Sequence, residues 1–480
     1  MRILLKQDDK LLLIASPDES VRIGDVFQSG EILSQTLDLQ FADLPGIMEH
    51  ILRQSLIAKP NISEDIQEEV KRVLETLSDQ KLIITKIRGH IVEEEGVKRL
   101  KPGLTEFNLS RERTEPQILP PKELFEILDL TSSDTAISRT LGEEPITFDF
   151  LPQRLGINLI TGQKGSGKSY FSKRLLLSLI RAGVFNIVFD VNGEYQNLHL
   201  DESGSNPSEF ANSITILDPR RNSPDGRRLP LRIPLHELTA DQFCDHTFIT
   251  TEGTIAAVNQ FWIDNMPGPF SLDDLETYAN GLGQGLVRNK ILSSVHYARS
   301  LRIFGPLDVR QIMQNLSGGG AMIINLFGIE TRLKKIVVNI IQRWITRMSE
   351  SHEIQSVSMF LEEAQSYVTP DEFQDLLTRM RHIGVYPTFI TNDPTTLPDE
   401  VFSLADNLIS FRFKSDKILN HLARTGMIDL DSIKALKHLD PRQCLVVGNF
   451  TNGFPLYLEI LPQSGVGMAG ETRPLISQGN

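Results

Sequence analysis

The chain has 480 residues, with 62 acidic against 49 basic side chains, a formal charge of -13 and 40% apolar residues. That length exceeds what one hydrophobic core normally fills, so two or three domains are expected, and the charge excludes a surface that is basic throughout while leaving room for a local basic lining. Cys244 and Cys444 lack metal-ligand spacing and read as inert reduced thiols, no run of about 18 apolar residues is present, and "MRILLKQDDKLLLIA" has no cleavage-site pattern, which together predict a cytoplasmic protein without membrane association.

In chain order, residues 1–110 read as a β-rich module. "KLLLIA", "DVFQSG", "LDLQFA", "KLIITKIRGHIV" and "LTEFNL" are β-leaning runs separated by turn signals, and "DIQEEVKRVLETLS" repeats apolar residues at helical spacing. A small barrel with one helix is the expected assembly. Residues 111–150, with Pro116, Pro120, Pro121 and the helical run "KELFEILDL", are expected to form a connector. From Leu155 the pattern changes to apolar strands alternating with helices, through "LGINLIT", "FNIVFD", "SITIL", "AMIINLF", "SVSMFL", "YPTFIT" and "NLISFRF". This predicts a mostly parallel α/β sheet. The core is expected in two parts, residues 151–235 and 316–465, divided by a helical insertion over 236–315 that is too long for an ordinary crossover. Residues 466–480 read as a polar tail.

The chemistry begins at "GQKGSGKS", which follows one predicted strand and opens a predicted helix. This is the spacing of a phosphate loop, so Gly162, Gln163, Lys164, Gly165, Ser166, Gly167, Lys168, Ser169 and the adjoining Tyr170 are the predicted nucleotide-binding residues. Backbone N–H groups and the helix N-terminus would face the phosphates, Lys168 would supply a cation, and Ser169 would offer its hydroxyl to magnesium. ATP and Mg2+ are therefore the expected cofactors. "SVSMFL" ends on two adjacent carboxylates at the carboxyl end of a strand, where open α/β sheets place ligands. Neighbouring side chains diverge at a strand end, so Glu362 is assigned to the magnesium shell and Glu363 to polarising the attacking water. The alternative is a pair of carboxylates favoured by the start of the following helix.

Asn392, at the end of "YPTFITND", can donate and accept at once and suits a γ-phosphate sensor. Arg379 and Arg381 in "LLTRMRHIG" could neutralise charge on a transferred phosphoryl group, or could be solvated helix residues. Asp190 opens "DVNGEY" at a strand end and is a further catalytic or supporting candidate, with Glu194 four residues on. "LSGGGAM" reads as a tight turn, because it lacks the lysine-serine ending of a second phosphate loop. The ten histidines show no zinc-ligand spacing.

The order of phosphate loop, "FDVNGEY", "FLEEAQSYV" and "RHIGVYPTFITNDPTTLPDEVFSLADNLISFRF" resembles the HerA branch of the HerA/FtsK ATPases, and "LDLQFADLPGIMEHILRQSLI" with "KIRGHIV" resembles that family's N-terminal barrel. The resemblance implies a RecA-like phosphate-loop ATPase core, an N-terminal β-barrel domain, a four-helix insertion and a homo-hexameric ring that passes duplex DNA. It implies Lys168 and Ser169 as phosphate-loop residues, Glu362 and Glu363 as the Walker B pair, and Arg381 as a finger acting across a subunit boundary. Arg379 falls one residue out of register with a second family arginine, and Asn392 stands where glutamine is usual, shortening the sensor arm. The implied function is a DNA translocase acting with a NurA-like nuclease or a sirtuin-like effector in DNA-end processing or antiphage defence. A hexameric scaffold that activates an effector without moving DNA is the alternative.

Overall fold

The computed structural model describes residues 1–41, 80–103, 114–142, 144–219, 228–307, 309–368, 370–424 and 426–468. The expected helix over 65–78, the run "LTEFNL" and the tail beyond 468 lie outside them. The chain divides into two compact units, Met1–Phe150 with Arg412–Leu461 and Leu151–Phe411 with Pro462–Asn480.

The first unit opens with strands β1 (Arg2–Gln7), β2 (Lys10–Ala15), β3 (Val26–Ser29), β4 (Ile32–Phe41), β5 (Lys81–Glu94), β6 (Val97–Lys101) and β7 (Gln117–Ile118). They form an antiparallel sheet in the order β1-β2-β5-β4-β3-β7, with β6 also paired to β5. Alternation along β5 turns Ile83 and Ile87 inward, against Ile3, Leu11, Leu13, Phe27 and Ile32. Register shifts in β4 between Leu33 and Ser34 and between Thr36 and Asp38 bend it, and the sheet curls into a half-barrel.

Residues 111–150 hold more than a connector: helix α1 (Pro121–Ile127) and strands β8 (Ser138–Thr140) and β9 (Thr147–Phe148). The two strands continue an antiparallel sheet from β18 (Gln443–Gly448) and β19 (Leu456–Ile460), so residues 412–461, read from sequence as part of the core's second half, pack with residues 1–150. Phe125, Phe148, Phe150 and Phe450 meet edge to face there, with centroids 5.0 to 5.9 Å apart. Arg88 of β5 adds a polar tie to the returning segment, bonding Asp429 at 2.8 Å and Ser432 Oγ at 2.5 Å while also holding Gln35. A guanidinium suits this position because it can serve three acceptors at once.

The second unit is built on parallel strands β10 (Asn158–Thr161), β11 (Phe185–Asp190), β12 (Ile214–Asp218), β13 (Arg228–Pro230), β14 (Gly320–Asn325), β15 (Val357–Glu362), β16 (Val385–Thr391) and β17 (Asn407–Phe411). Their order is β13-β12-β14-β11-β15-β16-β10-β17. Every residue of β10, β11, β14, β15 and β17 is buried, as expected for strands covered on both faces. Helices α2 (Lys168–Arg181), α8 (Thr331–Glu350), α9 (Pro370–His382) and α10 (Asp399–Leu404) make the crossovers. Strand β16 lies between β10 and β15, with Thr161 opposite Thr391 and Glu362 opposite Ile390. That order brings three strand ends into one line.

Between β13 and β14 the described residues hold five helices, where the resemblance implies four: α3 (Ala240–His246), α4 (Glu252–Asn265), α5 (Leu272–Gly281), α6 (Leu286–Ser300) and α7 (Val309–Leu316). The short α3 is fixed by a Thr239–Gln242 capping box, and α5 by one from Ser271 and Asp274. Phe243, Phe261, Trp262 and Phe270 form the aromatic centre of this bundle, and the indole N–H donates to Leu238 O at 2.8 Å.

Gly384 turns the chain from α9 into β16 at φ +81°, and an added Cβ would stand 2.5 Å from Gln355 O. Gly384→Ala should destabilise the protein by about 1–3 kcal/mol, through left-handed strain together with a clash against backbone. Denaturant unfolding should show this loss beside an unchanged or slightly raised stability for Gly281→Ala, whose Cβ would meet nothing within 4 Å at the end of α5.

Candidate active site

The carboxyl ends of β10, β15 and β16 open onto a cleft of about 1200 Å³. Its first wall is the loop from Gly162 to Lys168. A Cβ on Gly162 would lie 2.6 Å from Phe411 Cβ and 2.7 Å from Ser166 Oγ, so only glycine admits the chain there. Gly167 caps α2 at φ +109°, a conformation open to glycine, and this turns the helix N-terminus toward the cleft. Gln163, Lys164, Gly165, Gly167, Lys168, Ser169 and Tyr170 all line it. Ser166 is buried beneath, its hydroxyl without a partner.

Lys168 is 7% exposed. Burial lowers its pKa, while Glu362, Glu363 and Glu194 hold it up, so its ammonium faces the two strand-end carboxylates across the cleft. Glu362, the last residue of β15, is 2% exposed, and its Oε2 is buried without a hydrogen-bond partner. Burial pushes its pKa well above the usual carboxylate range, Asp190 and Glu194 push further, and Lys168 and Lys173 oppose the rise. An unpartnered buried carboxylate oxygen and the Ser169 hydroxyl lining one phosphate-loop cleft fit a magnesium shell, most of which nucleotide phosphates and water would complete. Among the described residues no group of three or more His, Cys, Asp or Glu forms a metal site of its own.

Glu363 takes a different course from its neighbour. Its backbone is left-handed, at φ 47° and ψ 45°, and its N–H donates to Ile390 O at 2.8 Å. The kink frees its side chain from strand alternation and delivers it to β16: Oε1 accepts from Asn392 Nδ2 at 2.7 Å and from Asn392 N at 3.3 Å, while Oε2 accepts from Gln365 Nε2 at 2.6 Å. A non-glycine residue held in this region is strained, and such strain concentrates at working sites. The structure therefore brings Lys168, Ser169, Glu362, Glu363 and Asn392 into one cleft.

Asp190 is placed differently. It is fully buried, its two oxygens accept from the N–H groups of Glu194 at 2.9 Å and Tyr195 at 3.0 Å, and burial raises its pKa to about 6. Its carboxylate shapes the 190–195 turn, and Asn192 and Glu194 of that turn line the cleft. Arg379 and Arg381, in the last turn of α9, do not line it. Arg379 pairs with Glu350 at 3.0 Å and Arg381 with Asp406 at 3.2 Å, both about half exposed. Sequence reasoning missed Gln365, whose amide fixes Glu363, and Lys173, a cation 2% exposed one turn along α2 from Ser169. The spacing Lys168, Ser169, Lys173 on one helix was the signal available for the second.

Among solved structures the chain is similar to VirB4 of Thermoanaerobacter pseudethanolicus, at 14% identity over 69% of this chain and 98% of that one, with a TM-score of 0.45. It is similar to the conjugative coupling protein TrwB, at 14% identity over 74% and 94%, TM-score 0.45, and to the genome packaging NTPase B204 from Sulfolobus turreted icosahedral virus 2, at 14% over 65% and 100%, TM-score 0.34. No curated protein matches the chain. Residues 158–345 match the family described as the helicase HerA central domain, a stretch running from β10 through the helical insertion into α8 and ending before Glu362. The phosphate loop stands at the start of that matched stretch, and the similarity to this family covers the central part of the chain.

Proposed function

We propose that this chain is a magnesium-dependent ATPase that works as a homo-hexameric translocase on duplex DNA, together with a nuclease or sirtuin-like effector subunit. The observation that carries the reading is the single cleft in which Lys168 and Ser169 face Glu362 and the Glu363–Asn392 pair. The loop N–H groups and Lys168 would hold the β and γ phosphates. Ser169 and Glu362 would hold the magnesium, which supplies charge neutralisation on the phosphoryl oxygens. Glu363 would take a hydrogen bond from the attacking water and orient it in line, with Asn392 setting the carboxylate's direction.

Arg381 sits about half exposed in the last turn of α9 with its guanidinium on Asp406, and it does not line its own cleft. In a ring, it would leave Asp406 to complete the adjoining site and stabilise the charge of the transition state. Movement of duplex DNA would then rest on backbone contacts, with little base reading. Among the described residues no helix is long and apolar enough to cross a membrane.

Glu363→Gln should lower kcat for ATP hydrolysis by about 100-fold or more while leaving the ATP dissociation constant within about threefold, because the amide keeps the size of the side chain but cannot act as base. Lys168→Ala should abolish ATP binding, measured by equilibrium titration with labelled nucleotide. Arg381→Ala should lose turnover that is restored in part by mixing with Lys168→Ala subunits, since each variant can donate what the other lacks across an interface. Native mass and duplex-stimulated turnover test the motor itself: the stimulation should fall steeply between about 50 and 200 mM salt. A monomer without DNA stimulation overturns the reading, and an ATP-dependent ring without translocation favours the scaffold.

A further inference from the structure

Lys173 presents a problem that the proposed chemistry does not answer. It lies on α2 among Phe171, Leu175, Leu176 and Leu177, all buried, and its side chain is itself 2% exposed. Nothing in the packing of an apolar helix face calls for an ammonium, and burying one is costly unless partners meet it. Its two hydrogen-bond acceptors are both main-chain carbonyls, Glu194 O at 3.3 Å and Met468 O at 3.1 Å. Burial lowers its pKa, and Glu194, Glu362 and Asp190 work against that fall.

Met468 belongs to a segment that crosses the same helix. Gln463 N donates to Tyr170 Oη at 2.6 Å, Gly465 N to Glu202 Oε1 at 2.7 Å and Gly467 N to Leu200 O at 2.8 Å, and Val466 is buried between them. A Cβ on Gly467 would stand 2.7 Å from Asn197 O, so the strap lies directly on the loop that follows β11. Met468 reaches the cleft and lines it together with Tyr170, Lys173 and Glu194. The strap, α2 and the 190–195 turn thus meet at one ammonium.

We propose that Lys173 is a positioning residue of the nucleotide site, and that residues 462–468 are a clasp whose attachment to it holds the Glu194 turn and Met468 in place as one wall of the cleft. The proposal rests on reading this cleft as the ATPase site. Its chemistry is that of a buried cation joining two carbonyls from segments far apart in sequence, so loss of either the cation or the strap frees the other. Turnover depends on the wall being fixed, whereas phosphate binding depends on the loop and Lys168.

The test uses the full chain with Lys173→Met, which removes the charge at similar volume, and Gly467→Val, which displaces the strap without touching Lys173. Each should lower kcat for ATP by about tenfold with the ATP dissociation constant changed by less than about threefold, and the double variant should be no slower than the worse single one. Hydrogen exchange, read without nucleotide or metal, should show lost protection at Gln463 and Gly467 in both variants. Wild-type kcat in Lys173→Met, retained strap protection in that variant, or additive losses in the double variant would each overturn the clasp. Lys168→Ala separates the two readings: if it still binds ATP, the site assignment fails, and if it loses ATP while the Lys173 and Gly467 variants match wild type, only the clasp fails.

Discussion

The burial of the Glu362 carboxylate is the constraint around which the second unit is arranged. A carboxylate that is 2% exposed, with one oxygen lacking any hydrogen-bond partner, is expensive to keep in a protein interior. Asp190 and Glu194 nearby make its ionisation harder still, and two lysines on one helix, Lys168 and Lys173, supply opposing charge. A core selected for stability alone would replace this cluster with apolar side chains of similar volume. On the proposed reading, a divalent cation would meet the carboxylates and a polyphosphate the lysines in this same space.

Strand order is what makes such a cluster possible. The chain runs from β10 through α2 to β11, passing over the places later filled by β15 and β16, and β16 then enters between β10 and β15. Phosphate loop, amide and paired carboxylates therefore arrive from positions about 160, 390 and 360 of the chain onto adjacent strand ends. Parallel pairing makes all three ends point the same way. The helical insertion between β13 and β14 interrupts the chain but none of these pairings, which is why a bundle of five helices can be accommodated without disturbing the site.

Much of this was legible from residue pattern. The phosphate loop carries its own geometry, since glycine at 162 and 167 answers a close approach and a positive φ, and the apolar runs marked the buried parallel strands before any pairing was known. Strand alternation predicted that Glu362 and Glu363 would diverge, but the divergence in the structure comes from the left-handed turn at Glu363, a local strain that no residue type announces. Gln365 and Lys173 were illegible for a related reason: each acts through contacts made by distant segments, Gln365 on a side chain turned back by that kink and Lys173 on the carbonyl of Met468. The association of residues 412–461 with residues 1–150 depends on edge pairing of β19 with β8, and strand propensity does not name a partner.

The hydrogen bonds of Glu363 carry the last step. Both oxygens of this carboxylate are engaged, by the Asn392 amide on one side and the Gln365 amide on the other, which fixes the direction in which it meets the cleft. Asn392, one residue beyond β16, also lines the cleft with an amide able to donate to a phosphate oxygen. The amide nitrogen carries two N–H groups, so on the proposed reading one would stay on Glu363 while the other reaches a phosphate oxygen. Sensing and water positioning would then share one side-chain amide, set up where β15 and β16 end side by side.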